Sequence, residues 1–155
     1  MSATDDLYSK FEPDIQAIAE PLFEFSEAQL RKRGNFLPHG AVLTDSGEVR
    51  LAGAAPNREG DLTNSEDILP LLQAGLRSQA KDTKLRAVGI SENVTVTRQG
   101  NNQTKAIKVL IEHVSGLTIA CYLPFNKRIL RGYEFGESFS IVAEAEINAW
   151  PSDAA

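Results

Sequence analysis

The stretch from Ala106 to Phe125, AIKVLIEHVSGLTIACYLPF, decides the fold, because it reads as two apolar strands joined by a tight turn. Ser115-Gly116 supplies the turn: glycine tolerates the positive φ of a two-residue hairpin loop, and apolar or β-branched residues flank it on both sides. Such a loop sets a register. Val114 then faces Leu117, Glu112 faces Ile119, Leu110 faces Cys121 and Lys108 faces Leu123, while His113/Thr118, Ile111/Ala120, Val109/Tyr122 and Ile107/Pro124 point to the opposite side. The second set is the more continuous apolar face, which predicts Val109, Ile111 and Tyr122 in a core beneath a helix.

Upstream, residues 13–33 read as a helix in which Ile15, Ile18, Leu22 and Phe25 form one stripe, with Pro13 in the first turn and Pro21 as a kink. Arg31, Lys32 and Arg33 meet the negative end of the helix dipole, and Gly34 takes the cap. Residues 1–12 are expected to be a flexible lead-in, 13–150 a single domain and 151–155 a tail. A second hairpin, 36–54, turns at Asp45-Ser46-Gly47, and 55–63 read as a surface loop. A helix over about 65–81 carries Ile68, Leu69, Leu72, Leu76 and Ala80 on one face. A strand from Leu85 to Arg98 reaches the central hairpin through the turn at 100–103. After Phe125, NKRILRGYEFGE reads as irregular, and a last strand over 138–148 alternates Phe139, Ile141, Ala143, Ala145 and Ile147 with polar residues.

These elements predict the α+β class: an antiparallel sheet of about five to six strands with two helices packed on one face, in the order α-β-β-α-β-β-β-β. In element order the arrangement resembles profilin-like and roadblock-like domains. No motif accompanies that likeness, so it implies nothing about activity.

At 155 residues the chain is long enough for one ordinary core, without a disulfide or metal staple. Cys121 is the only cysteine, which excludes an intrachain disulfide and suits a reducing, cytoplasmic setting. The acidic N-terminus does not read as a secretory signal, and no apolar run approaches the ~20 residues of a membrane span. The net charge of −5 conceals a basic block, since residues 84–132 hold eight Lys and Arg against two Asp and Glu. Neutralisation across the sheet, with Lys105 and Lys108 near Glu144 or Glu146, accounts for that block as well as an anionic partner does. An acidic chain is a poor match for extended nucleic acid, which demands many cationic contacts.

No nucleotide loop, nucleophile elbow or metal motif occurs. His39, between Pro38 and Gly40 at a strand edge, is a candidate general base; the plainer reading is a ring bonded to a backbone carbonyl. His113 is a second candidate, and the two histidines with Glu48 or Glu134 would make a two-histidine, one-carboxylate metal enzyme if they converged. Glu112 and His113, as strand neighbours, point to opposite faces. Cys121 reads as a core thiol. The stretch 125–136 is the best local candidate for a ligand site, gathering Lys127, Arg128, Arg131 and Tyr133 for a small anion, the arginines as bidentate contacts and the aromatic as cover. The leading expectation is a small non-enzymatic interaction or adaptor domain without a cofactor, binding a protein partner or forming a homodimer. The alternatives are the histidine enzyme and an anion-binding module.

Overall fold

A computed structural model describes residues 3–53, 65–97, 103–128, 130 and 132–151. The elements are helix α1 (Ala3–Arg33), strands β1 (His39–Thr44) and β2 (Val49–Ala52), helix α2 (Ser65–Asp82), and strands β3 (Leu85–Thr97), β4 (Gln103–His113), β5 (Thr118–Arg128), β6 (Gly132–Phe135) and β7 (Phe139–Val142). The strands form one antiparallel sheet in the order β2-β1-β3-β4-β5-β6, with β7 also on β5. The α+β class and the element order are those the sequence predicts. The sheet has seven strands rather than five to six, because β6 forms within the stretch expected to be irregular.

The helices do not share a face, contrary to the expectation. Ala41, Leu43, Ala87, Ile107, Val109, Ile111 and Ile119 pack against Ile15, Ile18, Leu22 and Leu30 of α1. On the other side, Val42, Val88, Ile90, Leu110 and Ala120 pack with Leu72 and Leu76 of α2. The reason lies in the central strands, which are apolar on both faces; all six residues of β1 are buried. A one-sided sheet would leave half of these side chains in water, at ~25 cal/mol per Å² of apolar surface.

Helix α1 begins ten residues before Pro13, so residues 3–12 are not a lead-in. Tyr8 packs against the core, and the Phe11 ring lies 4.1 Å from that of His113. At the other end Gly34, at φ 77°, donates to Leu30 O at 2.8 Å and closes the helix as predicted.

The central hairpin has a different register from the one read above. His113 N–H donates to Leu117 O and Gly116 N–H to His113 O, so the loop is Val114-Ser115-Gly116, three residues, with Gly116 at φ 100°. Ile111 therefore faces Ile119 and Val109 faces Cys121, while Tyr122 pairs with Lys108 on the α2 side. Val109 and Ile111 lie in the core beneath α1; Tyr122 does not. The β1–β2 hairpin closes identically, through Thr44 N–H to Glu48 O and Gly47 N–H to Thr44 O.

The segment after Phe125 is a hairpin rather than an irregular loop. β6 pairs Phe135 with Phe125, and β7 pairs Phe139 with Tyr122, so both lie on the same side of β5 and run the same way. Between these pairs β5 advances three residues and its partner chain four, which makes β6 and β7 two halves of one edge strand broken by a bulge.

The predicted strand over 138–148 stops at Val142. Glu112, buried at 4% exposure, explains this. Its Oε2 accepts the backbone N–H groups of Glu146, Ile147 and Asn148 at 2.9, 2.5 and 3.2 Å, and its Oε1 that of Ala149 at 3.1 Å. The chain turns around the carboxylate instead of extending a ladder, with Asn148 at φ 60°. Arg77 of α2 donates to Ile147 O at 3.0 Å from the other side.

Candidate functional site

His39 opens β1 opposite Ser91 of β3, both facing α1. Its Nδ1 lies 3.0 Å from Leu37 O, a pure acceptor, so the ring proton sits on Nδ1 and Nε2 is the acceptor. Nε2 is 3.1 Å from Ser26 Oγ, which also bonds Leu22 O at 2.8 Å. Ser26 has one proton for those two acceptors, so Ser91 is the donor in its 2.6 Å contact with Ser26. Both serines are fully buried. Burial outweighs the carbonyl contacts and lowers the His39 pKa, keeping the ring neutral. With both nitrogens committed to groups behind it, His39 offers a ligand its ring edge rather than a base.

The ring lines a cavity of about 500 Å³. Phe25, Phe36, Leu37 and Ile68 line it, while Gln29, Asn35 and Arg33 stand among the polar lining. Phe25 and Leu37 are 40% and 41% exposed, although both are large and apolar. A smaller chamber shares Phe25, His39 and Gly53 and extends to Leu51.

His113 lies at the other end of α1. Ser115 N–H donates to its Nδ1 at 3.1 Å, so Nε2 carries the proton toward Asp14 Oδ2 at 2.8 Å. Ser115 Oγ lies 2.8 Å from Nδ1, which aligns serine, histidine and aspartate. Catalysis by this trio lacks an oxyanion site, because the N–H groups of Val114, Gly116 and Leu117 are spent on Arg86 O, His113 O and Ser115 Oγ. The trio instead pins α1 to the turn, and Arg86 adds a 3.6 Å ion pair to Asp14. Asp14 and Ser26 are twelve residues apart on α1, ~18 Å along its axis, so His39 and His113 do not converge. Glu48 and Glu134, their proposed carboxylate partners, pair with Arg50 and Arg128. Among the described residues, no group of three or more His, Cys, Asp or Glu is placed to hold a metal ion.

Of the four residues expected to bind an anion, Arg131 lies outside the described residues. Arg128 turns away to Glu134 at 2.8 Å. Lys127 and Tyr133 come together in a recess of about 500 Å³, opposite Arg31, Lys32 and Arg33 from the end of α1. Sequence reading assigned those three cations to the helix dipole alone; their meeting with Lys127 depends on how the β5–β6 hairpin docks on α1. Arg31 lies over the Phe135 ring, 5.2 Å from its centroid.

Elsewhere in the basic block, Lys108 meets Glu146 at 2.7 Å, one of the cross-sheet pairs expected, whereas Lys105 meets neither Glu144 nor Glu146 in an ion pair among the described residues. Cys121 is buried, which raises its thiol pKa. On the sheet edge, Ile141 and Val142 of β7 are 49% and 58% exposed. No described helix is long and apolar enough to cross a membrane. Comparison of the chain with protein-family models, curated proteins and solved structures finds no match.

Proposed function

We propose that this protein is a non-enzymatic interaction domain of the cytoplasm, which takes an extended protein segment onto the edge formed by β6 and β7. One observation carries the reading: β7 hydrogen-bonds to β5 on one side and leaves Ile141 and Val142 about half exposed. An edge strand bears unpaired backbone donors and acceptors, and apolar side chains on it favour a further strand over water. The bulge and the carboxylates Glu134 and Glu137 restrict pairing along the β6 half, which leaves β7 as the receptive part. A second copy suits such an edge, because two antiparallel β7 strands related by a two-fold axis are self-complementary.

Sedimentation velocity over a wide concentration range tests this, with Ile141→Lys/Val142→Lys as the edge variant. Surface substitutions of this kind shift stability by about 0.5 kcal/mol or less, so the variant should fold. Concentration-dependent dimerisation abolished in the variant supports the reading. For a partner of another sequence, a photo-crosslinker at position 142 should capture a segment that maps to one site. A wild type that stays monomeric and yields no mapped crosslink refutes it.

A further inference from the structure

The apolar cavity beside His39 and the basic recess beside Lys127 share one lining residue, Arg33. The geometry points to a binding site for an amphiphilic anion, with its apolar body in the cavity against Phe25, Leu37 and Ile68 and its carboxylate or phosphate head at Arg33 and Lys127. This site is separate from the β7 edge and does not rest on the interaction reading.

Three features support it. The cavity's volume falls within the ~300–1,000 Å³ usual for small-molecule pockets, and its walls are mainly apolar with few polar groups. Its buried floor residue, His39, is neutral and turns both nitrogens inward, so the ring offers a hydrocarbon entering there no unpaired nitrogen. The head region is the reverse. Among the described residues, Arg33, Lys32 and Lys127 make no ion pair, although the chain is acidic overall. Four cationic side chains beside one recess repel one another, and an anion relieves that repulsion. A free inorganic anion would use the recess alone and a neutral hydrocarbon the cavity alone; only an amphiphile uses both.

Decanoate is the probe, titrated calorimetrically below its micelle concentration, with acetate and decanol as head-only and tail-only controls. Saturable binding of decanoate is expected, at least about tenfold tighter than either control. Arg33→Gln should weaken it about fivefold and Arg33→Gln/Lys127→Gln further. Gly53→Phe should abolish it by filling the cavity, since a Cβ added at Gly53 meets nothing within 4 Å. All three positions are exposed, and melting curves verify folding. Decanol binding as tightly as decanoate, decanoate binding that none of the three variants changes, or no saturable binding overturns the proposal.

Discussion

Replacing Glu112 should release the C-terminal segment before it unfolds the domain. Four backbone N–H groups share this carboxylate, and two of them belong to Ile147 and Ala149, which are 0% and 7% exposed. A buried donor left unpaired costs ~1–3 kcal/mol, so Glu112→Ala carries a penalty of ~2–6 kcal/mol for that pair alone. The N–H groups of Glu146 and Asn148, on exposed residues, regain water and add little. Against this, one large aliphatic side chain, Ile147, with Ala143, Ala149 and the half-buried Trp150, packs the segment into the α2-side core, and burying such an aliphatic side chain is worth ~1.5–3 kcal/mol, to which Arg77 on Ile147 O and Lys108 on Glu146 add polar contacts. Detachment is therefore the cheaper response. Glu112→Gln should be milder, because its amide oxygen can stay with the three donors at the Oε2 position while its NH₂ meets only Ala149. Trp150 is the single tryptophan, so its emission reports the segment while far-UV circular dichroism reports the fold. In urea, Glu112→Ala should shift Trp150 emission to the red well before the dichroism transition, with Glu112→Gln between it and wild type. Coincident transitions at the wild-type midpoint in both variants would refute the pinning role.

Ile111→Ala should lower stability by ~2–5 kcal/mol in urea melts, because the side chain is fully buried between the sheet and α1; an unchanged midpoint would contradict the register. His39 titrates lower in the folded chain than the usual ~6.5 of the unfolded one, so the unfolded state binds more protons in that interval. Its contribution is constant above pH ~6.5 and is lost as pH falls below it, by at most ~1.4 kcal/mol per pH unit; subtracting the pH–stability curve of His39→Gln should isolate this slope. Gly116→Ala should cost at least ~1 kcal/mol and Gly116→Asn less, since asparagine tolerates positive φ better than alanine. Equal melting temperatures for the three would argue against the three-residue loop.

Much of the site's setting was legible, though its composition was not. Pro38-His39-Gly40 marked a shaped strand edge, and the bond from Nδ1 to Leu37 O is the local contact that the plainer reading names. The buried Ser26 that occupies Nε2, and Ser91 bonded to it in turn, come from α1 and β3, 13 and 52 residues from His39, and no local spelling identifies them. The basic stretch 125–136 was visible because its charges are consecutive. Which of them face a recess depends on strand alternation, and that separates Lys127 from Arg128, which pairs with Glu134. His113-Val114-Ser115 did carry a usable signal, since a serine two residues after a strand-ending histidine can return a hydroxyl and an N–H to the ring.

Strand facing turns on two single-residue displacements that the sequence does not display. Side chains alternate with a period of two, so one extra loop residue exchanges the faces of everything beyond it. Reading Ser115-Gly116 as the whole turn moved Tyr122 from the α2 side to the α1 side. The correct length was recoverable by comparing the hairpins: Asp45-Ser46-Gly47 and Val114-Ser115-Gly116 share the tripeptide pattern x-Ser-Gly and close with the same two hydrogen bonds. The second displacement is the bulge at 136–138, which sends Tyr133 and Phe135 to the α1 core but Phe139 to the Tyr122 ring on the other face. The half before the bulge, Gly132–Phe135, is too short to display its alternation and reads as irregular, so the phase jump stays hidden. Glu112 hides for a different reason. An isolated glutamate between Ile111 and His113 looks like an ordinary wet-face residue, and its role appears only once the chain 34 to 37 residues later folds back on it. The alternation from Phe139 to Ile147 was real as a pattern. It failed as a strand because four backbone donors found one buried carboxylate, whose charge-assisted bonds, at ~1.5–3 kcal/mol each, outweigh the weaker bonds of an exposed edge ladder.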